Sequence, residues 1–387
     1  MLNSFTFNTS NRMVFENGAA DELSASAADF LGNRPFVVTD PGILAAGLLE
    51  APLEALKASG HTLGQFDKVV ADPPRALLEE AIAAAKEHDA TSIIGFGGGS
   101  SLDVAKLVAL VVCSGEDLDE AWGIGNAKGP RLPLILVPTT AGTGSEVTPI
   151  SIITVEDDEK RGVVSPLLLP DLAILDPALT LGLPAHVTAA TGVDAMVHAI
   201  EAYASRSANN NPLSQTLALK ALKLLGANIE TAVFEPENED ARGAMLLGSM
   251  LAGMAFANSP VAAVHALAYP IGGRFHVPHG LSNALVLPHV LRFNASEASD
   301  AYAELAPSIF PELAMLTNRS ERAGALANEL GCLTERLGLQ TTLREVGIAR
   351  KDLPGMARDA MKQTRLLVNN PRPVSETDAL SIYEAAL

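Results

Sequence analysis

Two cysteines, Cys113 and Cys332, are all that this chain of 387 residues contains, and they stand far apart. Such scarcity excludes a disulfide framework, and the apolar neighbours of each predict buried, reduced thiols. Aromatic residues are sparse too, at 4% with a single tryptophan, so the core has to be built from alanine, leucine, valine and glycine. That composition suits the aliphatic layers of α/β and helical enzymes. Positive charge is also short: 27 basic against 45 acidic side chains leave a formal charge of −18, which argues against a nucleic-acid or anionic-membrane surface. No apolar run approaches a membrane span, the longest being strand-sized segments such as 132–138. The N-terminus lacks a basic stretch followed by an apolar block, so no secretory signal is visible and a cytoplasmic location is expected.

What is present divides the chain in two. Up to about residue 185, short β-rich runs at 35–40, 91–96 and 132–138 alternate with alanine-rich helical stretches such as 74–88. This alternation predicts an α/β domain with a doubly wound sheet over 1–185. Beyond it the β signal fades, and helices are expected at 187–204, 212–229, 241–257, 260–271, 321–337 and 375–387. Asn211-Pro212 and Ser259-Pro260 read as caps followed by a first-turn proline. An all-α domain over 186–387 follows, with 234–240 as an acidic loop inside it.

The helical half carries the most informative pattern. Asp194 and His198 stand four apart, a spacing that puts a carboxylate and an imidazole on one helix face, and His265 and His279 follow later. An Asp and a His so spaced often form only a helix-face hydrogen bond. Here Ala195, Met196, Val197, Ala199 and Ile200 make the segment apolar on nearly every side, and His265 is set among Val261, Ala262, Ala263, Val264 and Leu267. A carboxylate buried in such surroundings must be paired or must coordinate something. One oxygen and three nitrogens suit a divalent first-row metal, Fe(II) or Zn(II).

In the first half, the run from Ser92 through Gly97, Gly98, Gly99 and Ser100 to Asp103 and Lys106 reads as strand, glycine turn and helix start. Glycines let the backbone approach a ligand, and the amides at a helix N-terminus favour an anion, although a tight βα connection would use the same residues. The spacing is not the usual dinucleotide fingerprint. A second polar turn, from Pro138 through Thr139, Thr140, Thr143 and Ser145 to Thr148, offers hydroxyls for ribose, phosphate and carboxamide groups. A solvated loop would tolerate them as well. Two such turns on one sheet suit an extended ligand such as a dinucleotide.

Taken together, Gly97-Gly-Gly-Ser-x-x-Asp-x-x-Lys106, the 138–146 turn, the 190–201 segment ending in Glu201, Pro278-His-Gly280 and the late Asn370-Pro-Arg-Pro closely resemble the iron-containing (group III) alcohol dehydrogenases over nearly the whole length. The resemblance implies an N-terminal dinucleotide-binding domain of dehydroquinate-synthase-like fold and a helical C-terminal domain. It implies that Asp194, His198, His265 and His279 hold the metal. It further implies that Gly98, Gly99, Ser100, Thr139, Thr140 and Thr143 hold NAD(P), with Asp103 as the motif acid and Lys160 near the nicotinamide ribose; Ser145 and Thr148 of the polar turn are read as cofactor contacts as well. Asp40, at the end of the 35–40 run, matches an acid that selects NAD, although Asp40-Pro41-Gly42 also reads as a simple turn.

One position departs from the family pattern. Many members have a histidine four residues after the third ligand, where this chain has Tyr269, so Tyr269 and His276 are both proton-path candidates. A phenol with an ordinary pKa near 10 does not simply replace an imidazole. His276 reads equally well as a loop histidine. The expected function is a metal-dependent, NAD-linked alcohol dehydrogenase or aldehyde reductase acting on a small alcohol or aldehyde, as a homo-oligomer with a dimer as the first expectation. A dehydroquinate-synthase-like lyase would need a basic cluster for a phosphorylated, carboxylated substrate, and a non-catalytic nucleotide sensor would not need a complete ligand set.

Overall fold

The computed structural model describes residues 4–156 and 159–387. The chain divides into an α/β unit, Asn8–Gly182, and a helical unit, Leu183–Leu387. The helical unit also takes in the described residues before Asn8. A reciprocal pair of hydrogen bonds explains that assignment: the Thr6 amide donates to Asn209 Oδ1 at 2.9 Å, and Asn209 Nδ2 donates back to the Thr6 carbonyl at 2.9 Å.

Six parallel strands form the main sheet of the α/β unit: β1 (Arg12–Phe15), β2 (Pro35–Val38), β3 (Gly64–Phe66), β4 (Ser92–Gly97), β6 (Leu134–Pro138) and β9 (Leu172–Leu175). Strands β2, β4, β6 and β9 are buried at every position, as expected of a parallel sheet covered on both faces. The pleat sorts their side chains into two cores. Phe36, Val38, Ile93, Leu134 and Leu136 fill one, against Leu78, Ala81 and Ala85 of the Arg75–Glu87 helix. Val37, Ile94, Phe96, Ile135 and Val137 fill the other. A second, three-stranded sheet of β5 (Gly123–Ile124), β8 (Lys160–Val164) and β7 (Ile150–Thr154) has no counterpart in the sequence reading.

Strand order across the main sheet is β1-β9-β6-β4-β2-β3. From β2 the chain first moves outward to β3 and then crosses back to β4 on the other side, so the winding reverses between β2 and β4. The carboxyl ends of β2, β4 and β6 are therefore adjacent, and they carry Asp40, the Gly97–Gly99 turn and the Thr139–Thr143 turn. Open α/β sheets bind ligands in the crevice outside such a reversal.

In the helical unit, the Ala185–Ala204 helix is buried at every residue from Gly192 to Tyr203, the signature of a core helix rather than a surface one. The helices Pro212–Phe234, Glu239–Asn258 and His279–Ile309 contact it. Asn211 caps Pro212–Phe234 through the Ser214 amide, as its sequence predicts. Ser259-Pro260 does not start a helix: the next one is Ala263–Phe275. Instead, Ser259 Oγ donates to the Ala202 carbonyl at 2.7 Å, and the Pro260 carbonyl accepts from Ser205 Oγ at 2.8 Å. Both groups tie this corner to the core helix. The 31-residue helix His279–Ile309, which runs through Pro288 and Pro307, was not among those expected.

The two cysteines are exposed, contrary to expectation. Cys113 lies beyond Val111, the last buried residue of the Gly99–Ser114 helix, and Cys332 faces outward between buried Leu330 and Leu333. Neighbours in sequence point in different directions on a helix, so apolar flanks do not bury the residue between them. Among the described residues, no single helix is long and apolar enough to cross a membrane.

Candidate functional site

Three helices bring the four proposed ligands together. Asp194 and His198 share the core helix Ala185–Ala204, His265 lies in the first turn of Ala263–Phe275, and His279 opens His279–Ile309. Each offers one ligand atom, and all four atoms lie within 4.8 Å of one another. Asp194 Oδ1 is 3.7 Å from His279 Nε2 and 4.0 Å from His265 Nε2. The rings of His198 and His265 stack at 4.8 Å, and Phe256 backs His198 at 4.3 Å. Asp194, His198 and His265 are buried, whereas the His279 side chain is 40% exposed, so the group reaches solvent at His279.

Local packing explains the sequence around these ligands. A Cβ added at Gly280 would lie 2.3 Å from the Ala190 carbonyl oxygen and 3.3 Å from Asp194 Cβ. Only glycine lets the helix that starts at His279 come this close to the core helix. Asn283, one turn after His279, is fully buried and donates from Nδ2 to Asp194 Oδ1 at 2.6 Å. The same nitrogen is 3.3 Å from both His265 Nε2 and His279 Nε2, while Asn283 Oδ1 has no partner. A carboxylate and two imidazoles thus converge on one partly positive amide, which is where a cation fits. Burial alone would raise the Asp194 carboxyl, but positive charge on His198, His279 and His265, together with the Asn283 hydrogen bond, holds it below the usual carboxylate range.

Glu201 was quoted in the sequence motif without a role, and the structure supplies one. It accepts from His265 Nδ1 at 2.6 Å and from the Val264 amide at 2.7 Å. Neither Asn283 nor Glu201 could be placed from spacing alone, because Asn283 meets Asp194 across 89 residues and Glu201 meets His265 across 64.

The two proton-path candidates differ in position. Tyr269 stands one turn after His265, with its ring centroid 6.1 Å from that of His279. His276 is an exposed C-cap of the Ala263–Phe275 helix in the left-handed region, φ +55°, which gives it a chain-turning task.

At the carboxyl edge of the sheet, Gly97 adopts φ +148°, and a Cβ there would meet Ser101 at 2.8 Å and Asp40 Oδ2 at 3.0 Å. Gly99 would clash with Thr143 at 2.7 Å, whereas Gly98 has no atom closer than 3.7 Å. The glycines therefore allow the first turn to sit against the second and leave Gly98 open. Gly98, Gly99, Ser100, Thr140 and Thr143 are partly exposed, and Thr139 is buried with its amide bonded to the Gly97 carbonyl. Asp40 caps the Pro41–Ala45 helix through Oδ1, on the Gly42 and Ile43 amides, and accepts from Ser101 Oγ with Oδ2.

Asp103, Ser145 and Thr148 face inward instead. Lys106, fully buried, donates to Ser145 Oγ at 2.8 Å, Thr148 Oγ1 at 3.2 Å and the Ile150 carbonyl at 2.6 Å, with Asp103 Oδ1 3.6 Å away. Asp103 also accepts from Ser145 Oγ at 2.6 Å and from the Ile152 amide at 2.8 Å. Burial lowers the Lys106 ammonium and raises the Asp103 carboxyl, and the attraction between them opposes both shifts. Nearby, burial pushes Glu146 up to about 7. Lys160 pairs with Asp72 and donates to Thr154 Oγ1 at 3.0 Å.

Comparison with known proteins decides the family. The signature "Iron-containing alcohol dehydrogenase" matches residues 10–177, and "Fe-containing alcohol dehydrogenase family, C-terminal" matches 188–387. The chain belongs to the iron-containing alcohol dehydrogenase family. It is 40% identical over 372 residues to long-chain-alcohol dehydrogenase 1 of Geobacillus thermodenitrificans, covering 95% of this chain and 93% of the relative. A crystal structure of 1,3-propanediol oxidoreductase superposes with TM-score 0.95 at 32% identity, over 99% of this chain and 100% of that one. Sulfoacetaldehyde reductase from Bifidobacterium kashiwanohense, in complex with NAD+, superposes with TM-score 0.87 at 27% identity, over 99% and 98% of the two chains. As a member of this family, the chain is a metal-dependent, NAD-linked oxidoreductase acting on CH–OH groups, an alcohol dehydrogenase or aldehyde reductase.

Proposed function

We propose that this family member interconverts a small alcohol and its aldehyde with Asp194, His198, His265 and His279 as its metal ligands and the edge of the six-stranded sheet as its NAD site. The observation that carries the proposal is the convergence of the four ligand atoms within 4.8 Å, with one ligand exposed. Three neutral imidazoles and one carboxylate leave a divalent ion only partly neutralised, and Fe(II) is the ion we assign, with Zn(II) as the alternative for the same donor set. When bound, such an ion supplies Lewis acidity at the substrate oxygen, and the nicotinamide supplies the hydride.

The chain's own residues do the rest. Phe256 fixes the His198 ring by stacking, Asn283 orients Asp194, and the exposed side of His279 leaves a way in for substrate. Gly98, Gly99 and Ser100 at the helix start favour the pyrophosphate, while Thr139, Thr140 and Thr143 supply the facing turn. Asp103, Ser145 and Thr148 contribute by holding that turn on Lys106. Lys160 holds β8 to Asp72. Asp40, beside the glycine turn, repels a 2′-phosphate and so favours NAD(H) over NADP(H). We place Tyr269 as a packing and orienting group, with protons passing through water and cofactor hydroxyls. A cytoplasmic, homodimeric enzyme remains our working picture.

The test is an alcohol and aldehyde panel with Fe(II)- or Zn(II)-loaded protein, following NADH absorbance. Turnover should depend on added metal and vanish in His279→Ala; full activity of that variant without metal would refute the site. Equal efficiency of the wild type with NADPH would refute the role of Asp40.

A further inference from the structure

Glu201 lies seven residues after Asp194, so on the core helix Asp194, His198 and Glu201 fall on neighbouring turns of one face. Its side chain is 5% exposed and that of His265 is 4% exposed, and the two meet at 2.6 Å between Oε2 and Nδ1. The other oxygen, Oε1, accepts from the Val264 amide at 2.7 Å, so the carboxylate is held at both ends and cannot rotate toward Asp194. A carboxylate is an acceptor only, so the proton of the bond sits on His265 Nδ1 and the lone pair sits on Nε2. Nε2 is the nitrogen that faces Asp194 Oδ1, at 4.0 Å.

Charge points the same way. Among the described residues, the ion pairs of Asp194 and Glu201 involve only histidines, and no lysine or arginine approaches either acid. Two buried acids thus share this corner with imidazoles, a donor set that a divalent ion would satisfy.

We infer that Glu201 is a positioning residue of the proposed metal centre: held by the Val264 amide, it fixes the tautomer and ring orientation of His265 through Nδ1 and so presents Nε2 to the metal. The inference rests on the ligand assignment proposed above. Carboxylates placed behind a ligating imidazole typically govern metal affinity by about 10–100-fold. Glu201→Gln keeps the size of the side chain but removes its charge. Its amide can also donate to Nδ1, which would reverse the tautomer.

Two measurements test this. Imidazole ¹⁵N shifts of His265 in the metal-free wild type should show a single Nδ1–H tautomer; an Nε2–H tautomer would overturn the inference without any variant. Competition of Zn(II) between the protein and a chromogenic chelator should then show Glu201→Gln weaker by about 10-fold or more, with circular dichroism confirming an unchanged fold. Affinity within about threefold of wild type, below that range, overturns the inference. Asp194→Asn serves as the control that separates the two levels. If it loses Zn(II) while Glu201→Gln does not, only the role of Glu201 fails. If neither loses it, the ligand assignment fails with it.

Discussion

Each unit of this chain buries a group of acids, and the two groups are balanced differently. In the α/β unit, Asp103 and Glu146 lie beside Lys106, whose ammonium is fully buried and bonded to two hydroxyls and a carbonyl. That group carries its own cation and serves to hold one turn against one helix. In the helical unit, Asp194 and Glu201 are buried with histidines alone, and an amide nitrogen stands where positive charge is wanted. A buried acid with a lysine of its own is a structural device, whereas buried acids whose ion-pair partners are imidazoles form the donor set a metal would use.

Breaking the helical group should have the largest effect. His198→Ala removes a proposed ligand from the core helix and should abolish bound metal, with a loss in kcat/KM on the order of a thousandfold or more. Elemental analysis beside an NADH assay reads both quantities, and retained metal with retained turnover would show that His198 holds no metal. The matching change in the other unit, Lys106→Met, leaves Asp103 without its cation and should cost roughly 3 kcal/mol in denaturant melts. Metal content should be unchanged, and an unaltered melt would show that the lysine does not hold the turn.

Glu146 offers a finer test through pH. Its folded-state pKa of about 7 lies above the ordinary 4.5, so the folded protein holds this proton more tightly than the unfolded chain does. The stability this confers is complete below pH 4.5, is lost as pH rises toward about 7, and changes no further above that. Glu146→Gln should remove roughly 3 kcal/mol of that pH-dependent stability, seen as a flatter curve of stability against pH. A curve parallel to that of the wild type would show that the carboxyl ionises as freely in the fold as outside it.

The smallest change is expected at Tyr269→Phe. Loss of a true acid–base group costs about 10²–10⁴-fold, and we expect less than about tenfold here. A thousandfold loss with metal and NAD binding intact would make the tyrosine a catalytic residue.

Much of this was legible in the chain itself. The alternation of buried strands with alanine-rich helices announced the α/β half, because strands covered on both faces must be apolar throughout. The four-residue spacing of Asp194 and His198 announced a shared helix face, because helix geometry fixes it. The glycine turn after β4 was readable because strand, turn and helix follow one another in sequence. Wherever partners are local, sequence suffices.

Tertiary structure decided what depends on distant partners. Nothing near Ser145 and Thr148 in sequence says that they turn inward to Lys106 rather than outward to a ligand; packing of the Gly99–Ser114 helix against the 145–148 turn decides it. The helix His279–Ile309 continues through Pro288 and Pro307, packed against its neighbours in the fold. Apolar flanks suggested buried cysteines, but the rotation of each helix left both thiols exposed. Glu201 and Asn283 joined the Asp194, His198, His265 and His279 group only when three helices converged, since their hydrogen bonds join residues 64 and 89 positions apart.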